Sequence, residues 1–488
     1  MSVPFYNLLF NLDLDASTAE PIYLQLTGRI AEVIRSGKIQ PGAPMPGTRI
    51  IAKALKISRN AAIAAYGELS NQGWIQTEVG FGTRVALTLP DFSPSSDPTA
   101  RPLASPCGFQ TPLFFADPGA ACSARVDLRN PTCDSRLLPE AELARSFRHP
   151  ITRLHRRGHN SSDPLGPLEV RECLAELLAE RRALPVDADD LLLVASTHEG
   201  LSLAARSLLP PGSRIAVEDP GNPRAWAAFR RAGLVPVPVR VDAEGICPEA
   251  LEDVCVAERP RALYLTPNCQ WPTGTMLSQE RRAAVIEVAA VYRMPILEDD
   301  HAAELYYEKQ SWRPLIADDH RGVVLHFGTF EHILDPAFGL GYVVGPREAL
   351  LAMGQARTEE GLPNLDLMAG ALRDFVMDGS YLRHVRKVRT AYRTRRDLVQ
   401  SFLSGPASEM FTTHPQASGL ACWLESTESS LESWRRRADS LGYALWPASH
   451  WRLGEEVRER AGLLLPFAPL DETEWRSALA LLQRTLTK

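Results

Sequence analysis

The sequence of 488 residues lacks several features that define other classes of protein. It contains no run of about 18 apolar residues, which excludes a membrane-spanning helix. The N-terminus has no basic region ahead of its short apolar stretch and no signal-like cleavage site, so no secretory leader is predicted. The eight cysteines form no CxxC pair. Their pattern argues against a zinc ribbon or a disulfide framework and predicts a cytoplasmic protein.

Lysine is scarce in the larger part of the chain. Residues 124–488 contain only Lys309, Lys387 and Lys488. The first lies in the polar stretch YYEKQSW, the second lies in a basic helical stretch, and the third is the last residue. None of them is placed as a buried reactive amine, which disfavours enzymes that hold a carbonyl compound as an imine.

Charge is distributed unevenly along the chain. The whole sequence has a formal net charge of −6. Residues 21–87, in contrast, hold eight basic and three acidic residues, a surplus of five positive charges. A small basic region on an acidic chain indicates that only this region contacts a polyanion such as DNA.

Composition divides the chain into three segments. Residues 1–87 are patterned and are predicted to form a compact domain. Residues 88–123 are rich in proline and serine with little periodicity, which predicts a linker. From 124 to 488, apolar strand-like runs alternate with helix-length amphipathic stretches, which predicts βαβ units and a mixed, mostly parallel sheet. The expected fold class is therefore multidomain α/β.

The first segment has the pattern of a helix-turn-helix followed by a β-wing. Residues 22–33 carry apolar side chains at helical spacing. Thr48 is predicted to cap a short helix, and Ser58 a second one whose Ile63, Tyr66 and Leu69 face the core. Two short helices separated by a tight turn form a helix-turn-helix layout. The stretch WIQTEVGFGTRVAL then predicts two strands joined at Gly-Phe-Gly.

These motifs resemble the GntR-type winged helix over residues 20–86, and the resemblance implies operator binding. Arg59 and Asn60 begin the second helix, the end that enters the major groove. Arg49 and Arg84 suit the neutralisation of flanking phosphates. The residues that the resemblance assigns to DNA contact are Arg49, Ser58, Arg59, Asn60, Gly82, Thr83 and Arg84.

The segment 124–488 resembles fold-type I pyridoxal phosphate (PLP) aminotransferases. The resemblance rests on stretches such as DPLGPLEVRECLAELLAERR, LTPNCQWPTGTMLS and ILEDDHAAELYY. A GntR-type domain joined to such a segment is the arrangement of the MocR/GabR family of transcription regulators. It implies an aminotransferase-like domain for effector binding and dimerisation, with a small C-terminal α/β part at about 375–488. It also implies a homodimer arranged head-to-tail.

The residues that match the family's cofactor site keep part of its chemistry. Asp299 ends an apolar strand where the family has its pyridinium carboxylate, and Arg224 matches an arginine that binds a ligand carboxylate. His301 replaces the tyrosine after the aspartate, and Asn222 replaces the tyrosine that faces the ring. The candidate pocket residues are Ser196, Thr197, His198, Asn222, Arg224, Asn268, Asp299, His301 and His332.

The residues that would hold PLP covalently and neutralise its phosphate are missing. The Schiff-base lysine of GTFSK is replaced by His332 in GTFEH, and imidazole forms no imine. The phosphate-binding arginine is replaced by Gly339, while Glu331 and Glu199 add carboxylates close to the expected dianion. The sequence therefore predicts no covalent cofactor and no catalytic residue. A metal site has no local ligand spacing in its favour, so none is predicted.

The interpretation is a cytoplasmic transcription regulator that binds operator DNA, dimerises and senses a small ligand in a degenerate PLP site. One alternative is an aminotransferase-family protein that binds PLP without an imine, as a transaminase- or dehydratase-like enzyme. Another is a dimerising module that binds no ligand, in which His332 is simply a partly buried histidine. Amino-acid turnover would favour the first alternative, and operator affinity independent of metabolites the second.

Overall fold

The computed structural model describes residues 9–10, 12, 14–15, 18, 20–78, 82–90, 126–157, 163–308, 313–363, 365–414, 416–454 and 461–486. The chain divides into two compact units, Met1–Ala116 and Asp117–Lys488. The predicted linker at 88–123 lies outside the described residues, apart from 88–90. None of the described helices combines the length and the apolar character needed to cross a membrane.

The first unit has the layout of a winged helix-turn-helix. Its elements are α1 (Ile22–Arg35), α2 (Thr48–Ala54), α3 (Arg59–Asn71), β1 (Ile75–Glu78) and β2 (Gly82–Val85). The two strands pair antiparallel, with Ile75 opposite Val85. Leu26, Ile30 and Leu69 are fully buried in the core between the helices. The predicted helix-turn-helix and wing are confirmed.

Two details of the predicted helices are wrong. Gly47, rather than Thr48, precedes α2, and no side chain caps that helix. Ile63 is 47% exposed instead of buried. The buried side of α3 is formed by Ala62, Ala65, Tyr66 and Leu69, so alanines take the place predicted for the isoleucine. A hydrophobic pattern gives small alanines less weight than isoleucine, which explains the error in helical phase.

The second unit combines helices with one large and two smaller sheets. The helices are α4 (Glu140–Ser146), α5 (Arg148–Arg157), α6 (Leu168–Arg182), α7 (Thr197–Leu208), α8 (Pro223–Arg231), α9 (Pro248–Glu258), α10 (Gln279–Val291), α11 (Arg347–Glu359), α12 (Asp366–Met377), α13 (Ser380–Ser404), α14 (Glu428–Ser440) and α15 (Glu472–Gln483). The strands are β3 (Val126–Asp127), β4 (Leu191–Val194), β5 (Arg214–Asp219), β6 (Val235–Asp242), β7 (Gly245–Ile246), β8 (Ala262–Leu265), β9 (Ile296–Asp300), β10 (Val324–Thr329), β11 (Gly341–Val344), β12 (Thr412–Thr413), β13 (Ala421–Ser426), β14 (Tyr443–Ala444) and β15 (Ala461–Pro466).

The large sheet of the described residues has the strand order β4-β11-β10-β9-β8-β5-β6-β7. The neighbours from β10 to β6 pair in parallel, whereas β11 runs antiparallel to both β10 and β4. Strands β4, β8, β9, β10 and β11 are buried along their whole length. Continuous apolar strands are expected where a parallel sheet is covered on both faces. The predicted mixed, mostly parallel sheet is confirmed.

One edge of this sheet brings the candidate pocket residues together. Strands β4, β5, β8, β9 and β10 share one direction, so their carboxyl ends lie on the same edge. Polar residues follow or end these strands, namely Ser196, Asn222, Asn268, Asp299 and His332. The carboxyl edge of an open α/β sheet is the usual place for a ligand.

The C-terminal part of the second unit forms a smaller layer. Strands β12, β13 and β15 make an antiparallel sheet, and β14 pairs in parallel with β3. Trp434 on α14 and Trp475 on α15 are fully buried in the same hydrophobic core as Leu463 on β15. Helices covering one face of an antiparallel sheet correspond to the small α/β part expected from the sequence.

Candidate nucleic-acid interface and ligand pocket

The start of α3 presents polar side chains to solvent. Ser58 caps the helix, because its Oγ accepts a hydrogen bond from the amide of Ala61 at 3.1 Å. Arg59 and Asn60 follow at the first two helical positions and are exposed. Within the described residues, no hydrogen bond or ion pair engages the Arg59 guanidinium. A capped helix end adds the positive end of its dipole to that charge, which favours an anionic partner.

Ile63 lies one helical turn after Arg59 and extends the same exposed face. Its exposed fraction is 47%, unusually high for an isoleucine beside a well-formed core. Residues four apart on a helix are neighbours on its surface. Sequence reasoning missed this residue because the apolar periodicity placed it in the core.

The remaining residues predicted to contact DNA lie on the wing and on α2. Gly82 begins β2 with a φ of +83°, and Thr83 shares a hydrogen bond of 3.2 Å with Thr77 across the ribbon. Arg84 is exposed, but one of its guanidinium N–H groups already donates to the carbonyl of Gly42 at 3.0 Å. Arg49 is exposed on α2. The tip of the wing, residues 79–81, lies outside the described residues.

A chain of hydrogen bonds ends at the carboxylate of Asp299. The amide nitrogen of Asn222 donates to the phenol oxygen of Tyr264 at 3.2 Å. That phenol donates to Oδ2 of Asp299 at 2.8 Å. Oδ1 of Asp299 is buried and has no hydrogen-bond partner among the described residues, although the side chain is only 5% exposed. A buried carboxylate oxygen without a donor is costly and marks a place where a ligand donor fits.

Burial alters the protonation of the carboxyl groups near this chain. Desolvation raises the pKa of Asp299, while His301 and the phenol of Tyr264 lower it. Glu218, at the end of β5, is fully enclosed, and burial raises its pKa to about 8 despite hydrogen bonds from Thr266. Glu218 is therefore mostly protonated at neutral pH and adds little charge beside Asp299.

Three aromatic side chains lie in succession, and the middle one, His301, is close enough to Asp299 to lower its pKa. The rings of Trp271 and His301 meet edge to face with centroids 5.2 Å apart, and those of His301 and His332 with centroids 5.9 Å apart. Nε2 of His301 donates to the carbonyl of Cys269 at 2.9 Å, because a carbonyl oxygen only accepts. The pKa of His332 is lowered to about 3 by burial, with further contributions from His301 and Arg224. His332 is therefore a neutral imidazole at physiological pH.

Contacts within the protein satisfy part of the start of α7. Ser196 caps the helix by accepting from the amide of Glu199 at 3.0 Å. The carboxylate of Glu199 accepts from the amide of Ala195 at 2.5 Å and pairs with Arg357 at 3.0 Å. Thr197 is 9% exposed, and its hydroxyl has no hydrogen-bond partner in the described part of the chain. The negative charge expected from Glu199 is thus balanced by an arginine on α11.

Arg224 links the start of α7 electrostatically to the histidines. It is exposed at the start of α8, and within the described residues its guanidinium makes no hydrogen bond or ion pair. Burial lowers the pKa of His198, and Arg224 lowers it further. Burial raises the pKa of Glu331, which Arg224 partly counteracts. Arg224 affects the pKa values of His198, Glu331 and His332, so its guanidinium lies close enough to interact electrostatically with all three.

Asn268 differs from the other predicted pocket residues. It is 1% exposed, and its Oδ1 accepts from Arg282 at 3.1 Å. Arg282 in turn pairs with Asp318 at 2.7 Å. Among the described residues these contacts tie Asn268 to Arg282 and the loop after β8, while its Nδ2 is buried without a hydrogen-bond partner, as Oδ1 of Asp299 is. Across the described residues, no three or more histidine, cysteine, aspartate or glutamate side chains form a group suited to a metal ion.

Sequence reasoning missed the residues that hold the pocket in place. Tyr264 connects Asn222 to Asp299, and a hydroxyl-bearing residue within the apolar strand ALYL was the only local signal for it. His384 on α13 donates through Nε2 to the carbonyl of Ile333 at 2.7 Å, next to His332. The sequence analysis identified only a basic helical stretch there, around Lys387. Contacts between distant elements leave no local pattern.

Comparison with protein families decides which family has this arrangement. Residues 132–459 match the model of the aminotransferase class I and II family. The chain belongs to that family. Residues 22–85 of this aminotransferase-family chain also match the bacterial regulatory proteins of the gntR family. The chain thus joins a gntR-type helix-turn-helix unit to an aminotransferase-like unit, the arrangement of transcription regulators similar to MocR.

Two curated relatives are similar over most of their length. The "Probable rhizopine catabolism regulatory protein MocR" of Rhizobium meliloti is 25% identical, over 96% of this chain and 94% of the relative. The "HTH-type pyridoxine biosynthesis transcriptional regulator PdxR" of Corynebacterium glutamicum is 28% identical, over 81% of this chain and 82% of the relative.

The aminotransferase fold of this regulator is also seen in solved structures. The α-aminoadipate aminotransferase LysN of Thermus thermophilus superimposes with a TM-score of 0.67 at 24% identity. The match covers 74% of this chain and 92% of that protein. At this level of identity the likeness concerns the fold alone.

Proposed function

We propose that this regulator binds operator DNA through its first unit and senses a small ligand, without Schiff-base chemistry, in its aminotransferase-like unit. The observation that carries the proposal is the partly buried, neutral imidazole of His332 beside His301, at the place where an imine would require an amine. The second unit is then a ligand-binding and dimerising unit rather than an enzyme.

The proposed DNA interface consists of the start of α3, the exposed part of α2 and the wing. Arg59 and Asn60 lie at the positive end of a helix capped by Ser58, and both are exposed. Arginine and asparagine are the side chains that read guanine and adenine edges in the major groove. Arg49 and the wing residues Gly82, Thr83 and Arg84 suit the flanking backbone. Ile63 adds an apolar contact suited to a thymine methyl group.

The residues of the pocket do not fit covalently held PLP. His332 offers no amine, and the amine of Lys387 donates to the carbonyl of Leu137 at 3.1 Å. Lys309 and Lys488 lie outside the described residues. Oδ1 of Asp299 and the hydroxyl of Thr197, both buried without a partner, suit a ligand held by hydrogen bonds. We infer non-covalent binding for any ligand of this pocket.

We assign residues 1–87 to DNA binding, 88–123 to the linker and 124–488 to ligand binding and dimerisation, with the small part at about 375–488. Aminotransferase-fold relatives are usually dimers, which supports a homodimer here, and a head-to-tail arrangement would bring each DNA-binding unit near the partner's second unit. The proposed location is the cytoplasm. The protein is expected to have one arrangement of its DNA-binding units that binds the operator and one that does not. A ligand changes operator affinity only by the difference between its own affinities for these two arrangements.

The DNA part of the proposal is tested with an operator selected from random duplexes by the full-length protein. Arg59→Ala should weaken binding about tenfold or more, since one good base contact contributes about 1–3 kcal/mol. The control is Arg29→Ala, because Arg29 is an exposed arginine on α1 paired with Glu32 at 3.5 Å. Equal operator affinity of Arg59→Ala and wild type, measured by fluorescence anisotropy, would disprove the interface.

The second candidate function is a PLP-dependent enzyme that holds the cofactor without an imine, favoured by the partner-free Oδ1 of Asp299. The protein is reduced with borohydride in the presence of PLP and then analysed by peptide mass spectrometry. No PLP adduct should be found on a lysine that lines the pocket. Transamination or dehydration of amino acids above background would favour the enzyme and contradict the proposal.

A further inference from the structure

A second cavity lies at the amino edge of the large sheet, opposite the edge that carries Asp299 and His332. Its volume is about 600 Å³. Residues at the start of β8, β9 and β10 line it, together with the end of α7 and the start of α11. These three strands run in the same direction, so their amino ends meet at this edge. A cavity of this size is large enough for a small-molecule ligand.

The walls of this cavity are aliphatic. Apart from Arg293 and Arg321, the side chains of the described residues that line it are those of alanine, leucine, valine and proline. Ala262, Leu297 and Leu325 are buried members of one hydrophobic cluster, so the cavity reaches from the surface to the core. Aliphatic walls stabilise an apolar group by removing it from water and give a polar side group no hydrogen bond. The part of a ligand that enters the cavity is therefore apolar.

The two arginines at the mouth of the cavity differ in their partners. Arg321 donates to both carboxylate oxygens of Glu287, at 3.0 and 2.8 Å. The nearby carboxylate of Asp319 accepts from the backbone amides of residues 321–324. Arg293, in contrast, is exposed, and its guanidinium makes no hydrogen bond or ion pair with any described residue. A free guanidinium beside an apolar cavity favours a carboxylate, whose two oxygens match its parallel N–H groups.

The backbone at the end of α10 fixes the position of Arg293. The amide of Arg293 donates to the carbonyl of Ala290 at 3.2 Å, and the amide of Met294 donates to that of Ala289 at 2.8 Å, which is a Schellman motif. Arg293 has a φ of +50°, where glycine is the usual residue. Arg259, at the end of α9, has a φ of +49° but does not line the cavity. The two arginines are therefore a matched pair for a test.

We propose that this cavity binds an aliphatic monocarboxylate, such as a medium-chain fatty acid. The hydrocarbon chain occupies the apolar interior, and the carboxylate pairs with Arg293 at the mouth. A second charged group on the ligand would lose its hydration against the aliphatic walls, so a dicarboxylate of the same length does not fit. The site is separate from the ligand binding proposed above, because the two sites lie at opposite edges of the sheet.

The test uses octanoate and octan-1-ol, which have eight carbon atoms each and differ in the charge of the head group. Titration calorimetry of the full-length protein should show one octanoate per chain, bound about tenfold more tightly than the alcohol. Arg293→Asn removes the guanidinium and keeps a residue that tolerates a positive φ. Octanoate should then bind no more tightly than the alcohol. Arg259→Asn is the matched control and should keep the wild-type affinity for both compounds.

A variant that fills the cavity shows where octanoate binds. Ala349 is half-buried at the start of α11 and lines the cavity. Ala349→Trp should weaken the binding of both compounds about tenfold or more, since the indole occupies the space of the chain. Leu351→Trp, at a residue of α11 that is 39% exposed and does not line the cavity, should leave binding unchanged.

Three results overturn the proposal: no octanoate binding by wild type, equal affinity for octanoate and the alcohol, or an octanoate affinity that Arg293→Asn leaves unchanged. The pair Arg293→Asn and Arg259→Asn decides the question even if Ala349→Trp does not fold. Operator binding measured on the same samples tests the proposed regulator function separately.

Discussion

The side chains of His301 and His332 meet edge to face, with ring centroids 5.9 Å apart and an interplanar angle of 89°. The first comes from the end of β9 and the second from the turn after β10, so the parallel pairing of these strands creates the contact. His384 holds the same turn from α13 through the carbonyl of Ile333. The two imidazoles thus have fixed positions relative to each other, at the two points where the sequence resemblance expects a reactive amine and a phenol.

Restoring an amine should restore imine formation. His332→Lys places a primary amine near the carboxylate of Asp299, and pyridoxal, which has an aldehyde but no phosphate, should react with it. Borohydride reduction followed by mass spectrometry should then locate the adduct at position 332. Wild type and His332→Gln are the matched controls and should give no adduct there. Labelling of His332→Lys at other lysines only would show that position 332 does not face the ligand.

Burial of His332 should make folding stability depend on pH. Its pKa is about 3 in the folded protein and about 6.5 when unfolded, so protonation favours the unfolded state. The free energy of unfolding that neutral His332 contributes is fully present above about pH 6.5 and is lost as the pH falls towards 3. His332→Gln should reduce the loss of urea stability between pH 6.5 and 4.5. Leu24→Ala, at a partly exposed side chain without a titratable group, should keep the wild-type slope.

Removing the hydroxyl of Tyr264 should destabilise the second unit. Tyr264 lies on β8, a strand that is buried throughout. Tyr264→Phe leaves Oδ2 of Asp299 and the amide of Asn222 without the hydroxyl group that they share. An unsatisfied buried polar group costs about 1–3 kcal/mol. Urea unfolding should report a loss in that range, whereas Tyr292→Phe, at a tyrosine that is 41% exposed, should change little. Equal stability of both variants would mean that the Tyr264 hydrogen bonds contribute nothing net.

Shortening Ile63 should weaken operator binding without unfolding the helix. The side chain is 47% exposed on the face of α3 that carries Arg59 and Asn60. Ile63→Ala removes three carbon atoms, at most about 2.4 kcal/mol at about 0.8 kcal/mol per buried methylene, and about 1 kcal/mol because only the exposed 47% of the side chain is left for the contact to bury. Alanine also favours the helix, so thermal stability should not fall. Leu24→Ala, at a partly exposed apolar residue of α1, is the control. An unchanged operator affinity would place Ile63 outside the interface.

Much of the fold and several pocket residues were predictable because their signals are local. Several buried strands, such as LLLV and ALYL, are continuous apolar runs, and the helical stretches between the strands required parallel crossovers. Residues at strand ends, such as Asp299 and His332, follow from that order, since the carboxyl ends of parallel strands share an edge. Ser58 was recognisable as a helix cap because capping involves only residues three apart.

Only the tertiary structure shows contacts between residues that are far apart in the sequence, because no local pattern encodes them. Ile63 is exposed because alanines fill the narrow space beneath α3, and the residues opposite a helix set that space. Glu199 is neutralised by Arg357, 158 residues further on, so its charge could not be judged from its neighbours. The phenol of Tyr264 meets Asp299 because β8 and β9 are adjacent in the sheet. The sequence by itself determined which chemical groups reach the carboxyl edge, whereas packing between distant segments decided which of those groups remain free to bind.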